Sequence, residues 1–169
     1  VLGSNGAGKS TFFLCCNGVL EPGAGAVYYR GARIDHHHRR DLVTLRKNVG
    51  LVFQDPDNQM IASTVESEVS FGPMNLGLPR EEVAARVDAA LGEMQLERFR
   101  TRPPHYLSGG EKKRVSIADI LAMRPEIVLF DEPASSLDPQ SAAALEQTLA
   151  QLTAAGMTIL VSTHDVDFA

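Results

Sequence analysis

No apolar run among these 169 residues approaches the ~18 that a membrane-spanning helix needs, so such a helix is excluded from this stretch. No segment combines the charged, apolar and cleavage regions of a signal peptide either. Cysteine is scarce. Cys15 and Cys16 are adjacent and have no partner elsewhere, which excludes a disulfide framework and makes them read as small core residues of a reducing compartment. An excess of positive charge is also missing. With 16 basic against 21 acidic residues and a net charge of −5, a broad nucleic-acid-binding face is argued against, and no nucleic-acid partner is expected. The remainder, 44% hydrophobic and 22% charged, is ordinary for a globular domain with a real core.

What the chain does have, at its start, is a glycine-rich loop. Gly3, Ser4, Asn5, Gly6, Ala7, Gly8, Lys9 and Ser10 fit the pattern G-x-x-x-x-G-K-[ST] at every position, and Thr11 follows. Glycines let such a loop turn its N–H groups inward as a nest for polyphosphate oxygens. Lys9 adds a point charge near the β- and γ-phosphates, Ser10 offers a hydroxyl to Mg²⁺, and the helix that begins here aims its positive end at the anion. Val1 and Leu2 read as the tail of a buried strand, and residues 10–17 as a helix apolar nearly all round. Strand, loop and helix stand in the right order for a nucleoside triphosphate site.

Further along, residues 25–30 favour a strand and residues 31–35 turn back. The run of His36, His37, His38, Arg39 and Arg40 invites a metal reading, but consecutive side chains diverge and no acidic or cysteine partner is spaced nearby, so a solvated loop is expected. Residues 42–47 form a short polar or helical segment. A buried strand over 49–53 ends at Gln54, and residues 55–59 are turn chemistry. A helical pattern starts at Thr64 and is broken at Gly72-Pro73 and Gly77-Leu78-Pro79. An amphipathic helix follows over 79–96, with Val83, Val87, Ala90, Leu91 and Met94 spaced three and four apart. After a loop at 101–105 come a helix over 108–123, a buried strand over 127–130, a helix over 139–153 and a third buried strand over 157–162. Buried strands alternating with helices predict an α/β fold: a parallel sheet flanked by helices. The expected division is a core over 1–63 with the phosphate loop, a helical insert over 64–106, and a return to the core over 107–169.

Two more stretches carry chemistry. The strand over 127–130 delivers Asp131 and Glu132 to its C-terminal end, the edge where open α/β sheets bind ligands. Asp131 would hold Mg²⁺ through water, and Glu132 could position an attacking water. In the second stretch Ser108 can cap a helix while Gly109 and Gly110 expose N–H groups to another anion. The same spacing of Ser108 and Glu111 also fits an ordinary capping box, and both readings stand. One nucleotide does not need two phosphate-binding helix starts from one chain, which suggests that this one serves another subunit's nucleotide.

With these motifs in order, the chain resembles the nucleotide-binding subunit of ATP-binding-cassette (ABC) transporters over essentially its whole length. Residues 3–11 match the Walker A loop, Gln54 the Q-loop, residues 107–111 the signature motif, 127–132 Walker B, 135–138 the D-loop, and His164 the switch histidine. The stretches over 45–59, 64–66, 71–78 and 109–123 are similar to ATPases of cobalt-type and energy-coupling-factor importers. The resemblance implies an ATPase of the phosphate-loop class that uses ATP and Mg²⁺. Ser10, Gln54 and Asp131 would lie around the metal, Glu132 would position water, and His164 would contact the γ-phosphate. It implies two such domains sandwiching two ATPs head to tail, as a homo- or heterodimer, each nucleotide lying between Lys9 of one subunit and residues 108–110 of the other. A transmembrane coupling subunit and a substrate-binding membrane subunit would be the partners, holding the protein peripherally at the cytoplasmic face of the cell membrane. A soluble, non-transport cassette ATPase acting in translation or DNA repair is the alternative.

Three departures stand out. Glu111 occupies a position where the family usually has Gln, Ser136 one where importers of this type commonly have Gly, and the aromatic residue that stacks on adenine would lie upstream of Val1. Both ends are expected to be cut, with the first strands and a C-terminal part absent from these residues.

Overall fold

The computed structural model describes residues 1–135 and 137–165, without the side chain of Asn58. Its centre is a parallel sheet in the order β3 (Val49–Val52), β4 (Ile127–Asp131), β5 (Thr158–Ser162). Leu2 extends it through a parallel bridge to Thr163, with Thr163 N–H donating to Val1 O at 3.0 Å. Alternation along β4 divides the core in two, because successive strand side chains point to opposite faces. Val128 and Phe130 join Val52 against the helices that follow, whereas Leu129 joins Val49, Leu51, Phe13 and Leu45 on the other face. That second face is covered by α1 (Lys9–Cys16) and α2 (Arg39–Asn48). A hairpin of β1 (Tyr28–Tyr29) and β2 (Ala32–Arg33) lies between them in sequence, with Arg30 and Gly31 at positive φ as its two-residue turn.

The first core face is covered by α3 (Val65–Asn75), α4 (Arg80–Glu93), α5 (Gly109–Ala122) and α6 (Pro139–Ala154). Thr64 caps α3, its Oγ1 accepting from Ser67 N–H at 3.1 Å. On α4 the residues at helical spacing, Val83, Val87, Ala90 and Leu91, are the buried ones, as their pattern predicts. Arg100 bridges Glu66 of α3 at 2.8 Å and Asp88 of α4, fixing the two helices to the loop that returns to α5.

Several expectations need correction. The helix at Thr64 is not broken at Gly72-Pro73: α3 runs on to Asn75 with Pro73 buried inside it. Pro73 forgoes the one N–H that would reach Val69 O without ending the helix, and a Cβ at Gly72 would lie 2.7 Å from Met123 Cγ, so glycine there permits the close approach of α3 to α5. The first helix is not buried all round. Phe13 is its only buried apolar residue and Phe12 is half exposed, because α1 presents a single side to the sheet. Val1 and Leu2 are exposed as well, and β5 is only partly buried. The strand expected over 25–30 shrinks to Tyr28 and Tyr29, since only the residues flanking the turn pair. The strand before Gln54 stops at Val52, leaving Phe53 exposed.

Between α3 and α5 lies an acidic pair. Glu68 is buried and accepts from the N–H groups of Ile61 (3.0 Å) and Ala62 (2.7 Å), which precede α3. Burial pushes the Asp119 carboxyl up to about 7, and the charge of Glu68 adds to the shift. Because the folded chain then holds a proton that the unfolded chain releases near pH ~4, this group makes stability fall as pH rises to about 7. Asp119→Asn is expected to flatten that part of the stability profile and to raise stability at pH ~8 by at least about 1 kcal/mol. Urea unfolding of both forms at several pH values checks it; identical profiles would remove Asp119 from the account.

Candidate active site

Where β4 ends, the backbone turns a strained corner. Glu132 has φ 46°, in the left-handed region that residues with a Cβ seldom adopt, and its N–H donates to Ser162 O at 3.0 Å. At that corner the Glu132 carboxylate, 6% exposed as a residue, meets two partners from distant parts of the chain. Lys9 Nζ lies 3.0 Å from Oε1, and His164 Nδ1 lies 2.8 Å from Oε2, a bond that requires a proton on Nδ1. Burial alone pushes the Glu132 carboxyl up, but the hydrogen bonds and charges of Lys9 and His164 together outweigh it and hold the group below the usual carboxylate range. The carboxylate is ionised at neutral pH.

The loop builds the opposite wall. Lys9 is buried, its ammonium donating to Gly3 O at 2.7 Å and Ser4 O at 3.1 Å, while Ala7 N–H closes a turn onto Ser4 O. Gly8, at φ 92°, caps α1 without any side-chain hydrogen bond. The first helical bond runs from Phe12 N–H to Gly8 O, so the N–H groups of Lys9, Ser10 and Thr11 precede the ladder at the positive end of the helix dipole. Asn5, Gly6, Gly8, Lys9, Ser10 and Thr11 line a cleft of about 440 Å³ together with Gln54 and Glu132. Donors and a buried cation on one wall and a carboxylate on the other suit an anion whose bond to a neighbouring atom is attacked by water.

Of the residues expected around the metal, Ser10 and Gln54 border this cleft and Asp131 does not. Asp131 is buried and accepts from Ser162 Oγ–H at 2.5 Å. Ser162 was not singled out by its sequence context. The parallel register pairs it with Asp131, and it is fully buried, with Oγ also accepting from Glu132 N–H at 3.2 Å. A hydroxyl at the end of an apolar strand, two residues before His164, was the available signal.

Ser108 and Gly110 sit elsewhere. With Glu111, Arg114 and residues of α6 they line a separate groove of about 240 Å³ that shares no lining residue with the Lys9 cleft. The capping box forms: Ser108 Oγ accepts from Glu111 N–H, and the Glu111 carboxylate accepts from Ser108 N–H at 2.8 Å and from its hydroxyl at 3.0 Å. The amide N–H groups of Gly109 and Gly110 still precede the first helical bond of α5, from Lys112 N–H to Ser108 O. One turn into that helix, Lys113 is 2% exposed and donates to Phe53 O at 3.0 Å and Gln54 O at 2.7 Å. Burial lowers its ammonium to about 8, opposed by the charges of Asp55 and Asp131.

The histidines form a loop leading into α2, which already begins at Arg39, and the expectation of no acidic partner nearby is corrected, since His38 Nδ1 contacts Asp41 at 2.8 Å. His37 and His38 are exposed, and among the described residues no group of three or more His, Cys, Asp or Glu could hold a metal ion. Cys15 and Cys16 are free and only half-buried. Ser136 and residues 166–169 lie outside the described residues, so the D-loop departure at Ser136 has no structural counterpart here.

A parallel sheet with a glycine-rich loop, buried lysine and acidic pair at its carboxyl edge is the arrangement of a phosphate-loop nucleotide-binding domain. More narrowly, the family model described as ABC transporter matches residues 1–135, and the chain belongs to that family. The energy-coupling factor transporter ATP-binding protein EcfA of Methanocaldococcus jannaschii is 54% identical over 167 residues, 99% of this chain and 60% of that protein. Its namesake in Methanococcus maripaludis is 53% identical over the same shares. The chain thus spans about three fifths of the length of these curated relatives. Among solved structures, cbiO1 from Clostridium perfringens, described as part of the ABC transporter complex cbiONQ, superposes with a TM-score of 0.89 at 42% identity, covering 99% of this chain and 67% of that one. A dimeric ATP-binding cassette in a post-hydrolysis state, bound to ADP and Pi, superposes at 0.85 and 32% identity, covering 99% and 75%.

Ser162→Ala removes the hydroxyl that both Asp131 and the Glu132 amide use, leaving a buried carboxylate with one fewer donor. A loss of about 1–3 kcal/mol is expected in urea unfolding. An unchanged midpoint would mean that the bond to Asp131 contributes nothing net.

Proposed function

We propose that this chain is the ATP-binding and ATP-hydrolysing part of an ABC importer subunit of the energy-coupling-factor or cobalt type. The observation that carries the reading is the meeting of Lys9 and His164 on the Glu132 carboxylate, at a cleft that Lys9, Glu132 and Gln54 line. Lys9 and the N–H groups at the start of α1 bind and orient the β- and γ-phosphates. Glu132, kept ionised by its partners, accepts a hydrogen bond from water and orients it toward the γ-phosphorus. His164 steadies that carboxylate, and its contact with Glu132 supports a role for it toward the γ-phosphate.

The donor set suits Mg²⁺. Oxygen and amide groups at Ser10 and Gln54, with a single carboxylate at Asp131 behind them, match an ion that keeps waters and is held largely by substrate phosphates rather than by a protein cage. Bound there, the metal would neutralise charge developing on the phosphates.

The separate groove at Ser108 to Gly110 supports a head-to-tail dimer in which this helix start faces the other subunit's nucleotide. Under that reading the chain divides into a core over 1–63, a helical insert over 64–106 and a return over 107–169. Phe71 and Met74, three apart on α3, expose an apolar face, and Ile61 ahead of that helix is 77% exposed. These residues support docking of a transmembrane coupling subunit, which would hold the protein at the cytoplasmic face of the membrane beside a substrate-binding membrane subunit. No helix among the described residues is long and apolar enough to cross a membrane itself.

In the full-length protein, Glu132→Gln is expected to keep ATP affinity and to lower turnover by roughly 100-fold or more. Lys9→Ala should instead weaken nucleotide binding by at least about tenfold. Turnover near the parent's in the first variant, or unchanged affinity in the second, removes that residue from its role. Co-purification from membranes tests the transport half: small transmembrane partners identified by mass spectrometry support it, and ribosomes or DNA-repair factors in their place overturn it.

A further inference from the structure

The first turn of α5 is tied twice to the segment that follows β3. Lys113 reaches inward, 2% exposed, and its ammonium holds the carbonyls of Phe53 and Gln54 at 3.0 and 2.7 Å. These two carbonyls lie just past the last ladder residue, Val52, so they take their orientation from the lysine rather than from the sheet. Next to it, Lys112 Nζ pairs with Asp57 at 2.5 Å in the short 3-10 turn Pro56–Asn58. Gln54 borders the Lys9 cleft, while Ser108, Gly110 and Lys113 itself border the other groove.

An ammonium in this position is costly to bury, and an aliphatic side chain would fill the same space without that cost. What the lysine supplies is a directional hold on two backbone oxygens. We propose that Lys113 is a positioning residue that makes the two nucleotide sites of a dimer respond together: when the start of α5 seats on the partner's nucleotide, the ammonium sets the Gln54 backbone, and so its side chain, over the chain's own nucleotide. The proposal rests on the head-to-tail reading given above.

Full-length parent, Lys113→Met and Lys113→Arg are compared by ATPase rate against ATP concentration and by equilibrium titration with a fluorescent ATP analogue. Lys113→Met is expected to keep affinity within about twofold while kcat falls about tenfold and the Hill coefficient drops toward about 1. Lys113→Arg, with its donors retained, should recover at least about half of the lost rate. The deciding measurement is a double-mutant cycle with Gln54→Ala. If Lys113 acts through Gln54, adding Lys113→Met to Gln54→Ala changes kcat by less than about twofold. A full multiplicative loss there, or parent-like kcat and Hill coefficient in the single variant, overturns the proposal. Should Lys113→Met fail to fold, Lys113→Gln, which keeps one amide donor, goes through the same cycle. A parent whose rate shows neither cooperativity nor ATP-driven dimer formation overturns the head-to-tail reading and this proposal with it, and is distinguishable because the defect is in the parent.

Discussion

A lysine ammonium kept from water needs partners, and meeting that need for Lys9 shapes the site. The loop supplies two carbonyls, from Gly3 and Ser4, and a carboxylate comes from Glu132, far away in sequence. Without the carboxylate the charge would be held by dipoles alone; without the ammonium Glu132 would be a buried anion with only a histidine beside it. Each makes the other tolerable, and the same pairing keeps the carboxylate ionised and near an anion-binding wall. Structural need and chemical use coincide in one contact.

That contact is possible because the parallel register brings the ends of β4 and β5 to one edge. Asp131 is paired with Ser162, Glu132 hangs from the same serine through its N–H, and Leu2 bridges Thr163 just before the loop begins. The positive φ at Glu132 costs of order 1 kcal/mol or more, which the surrounding bonds to Ser162 offset. Shifting the register by one residue would turn Ser162 to the other face and separate Lys9, Glu132 and His164.

Most of this was legible beforehand, for reasons that can be named. The loop and the α4 stripe are local patterns in which spacing alone dictates geometry, and the structure follows them, whereas of the strand-end acidic pair only Glu132 lines the cleft. What spacing could not reveal was which polar residues are buried by tertiary packing. Lys113, between Lys112 and Arg114, carries no local sign of burial, yet tertiary packing turns it inward against the carbonyls of Phe53 and Gln54. Ser162 reads as the last residue of a strand, and only pairing with β4 gives it work. Pro73 reads as a helix breaker, but α3 runs through it, with the proline buried in the packing of its last turn. Local rules failed where a neighbour distant in sequence overrode them.

The departure at Glu111 shows how a neighbour three residues away can redirect a motif without abolishing it. Its carboxylate takes both the N–H and the hydroxyl proton of Ser108, so the hydroxyl is turned toward its own helix. The hydrogen bond from the Ser108 amide holds the Glu111 carboxyl below its ordinary range, and Arg114 and Arg98, the latter 3.8 Å from Oε1, offset its charge. Both bonds end on Oε2, so a glutamine could accept them through its one oxygen, and the difference is an amide donor where Oε1 stands toward Arg98. On the head-to-tail reading, recognition of the partner's phosphate then falls on the N–H groups of Gly109 and Gly110 and on the dipole of α5, with Ser108 as their cap rather than their equal. Backbone donors carry no side chain to substitute, so on that reading the anion site is robust to this exchange.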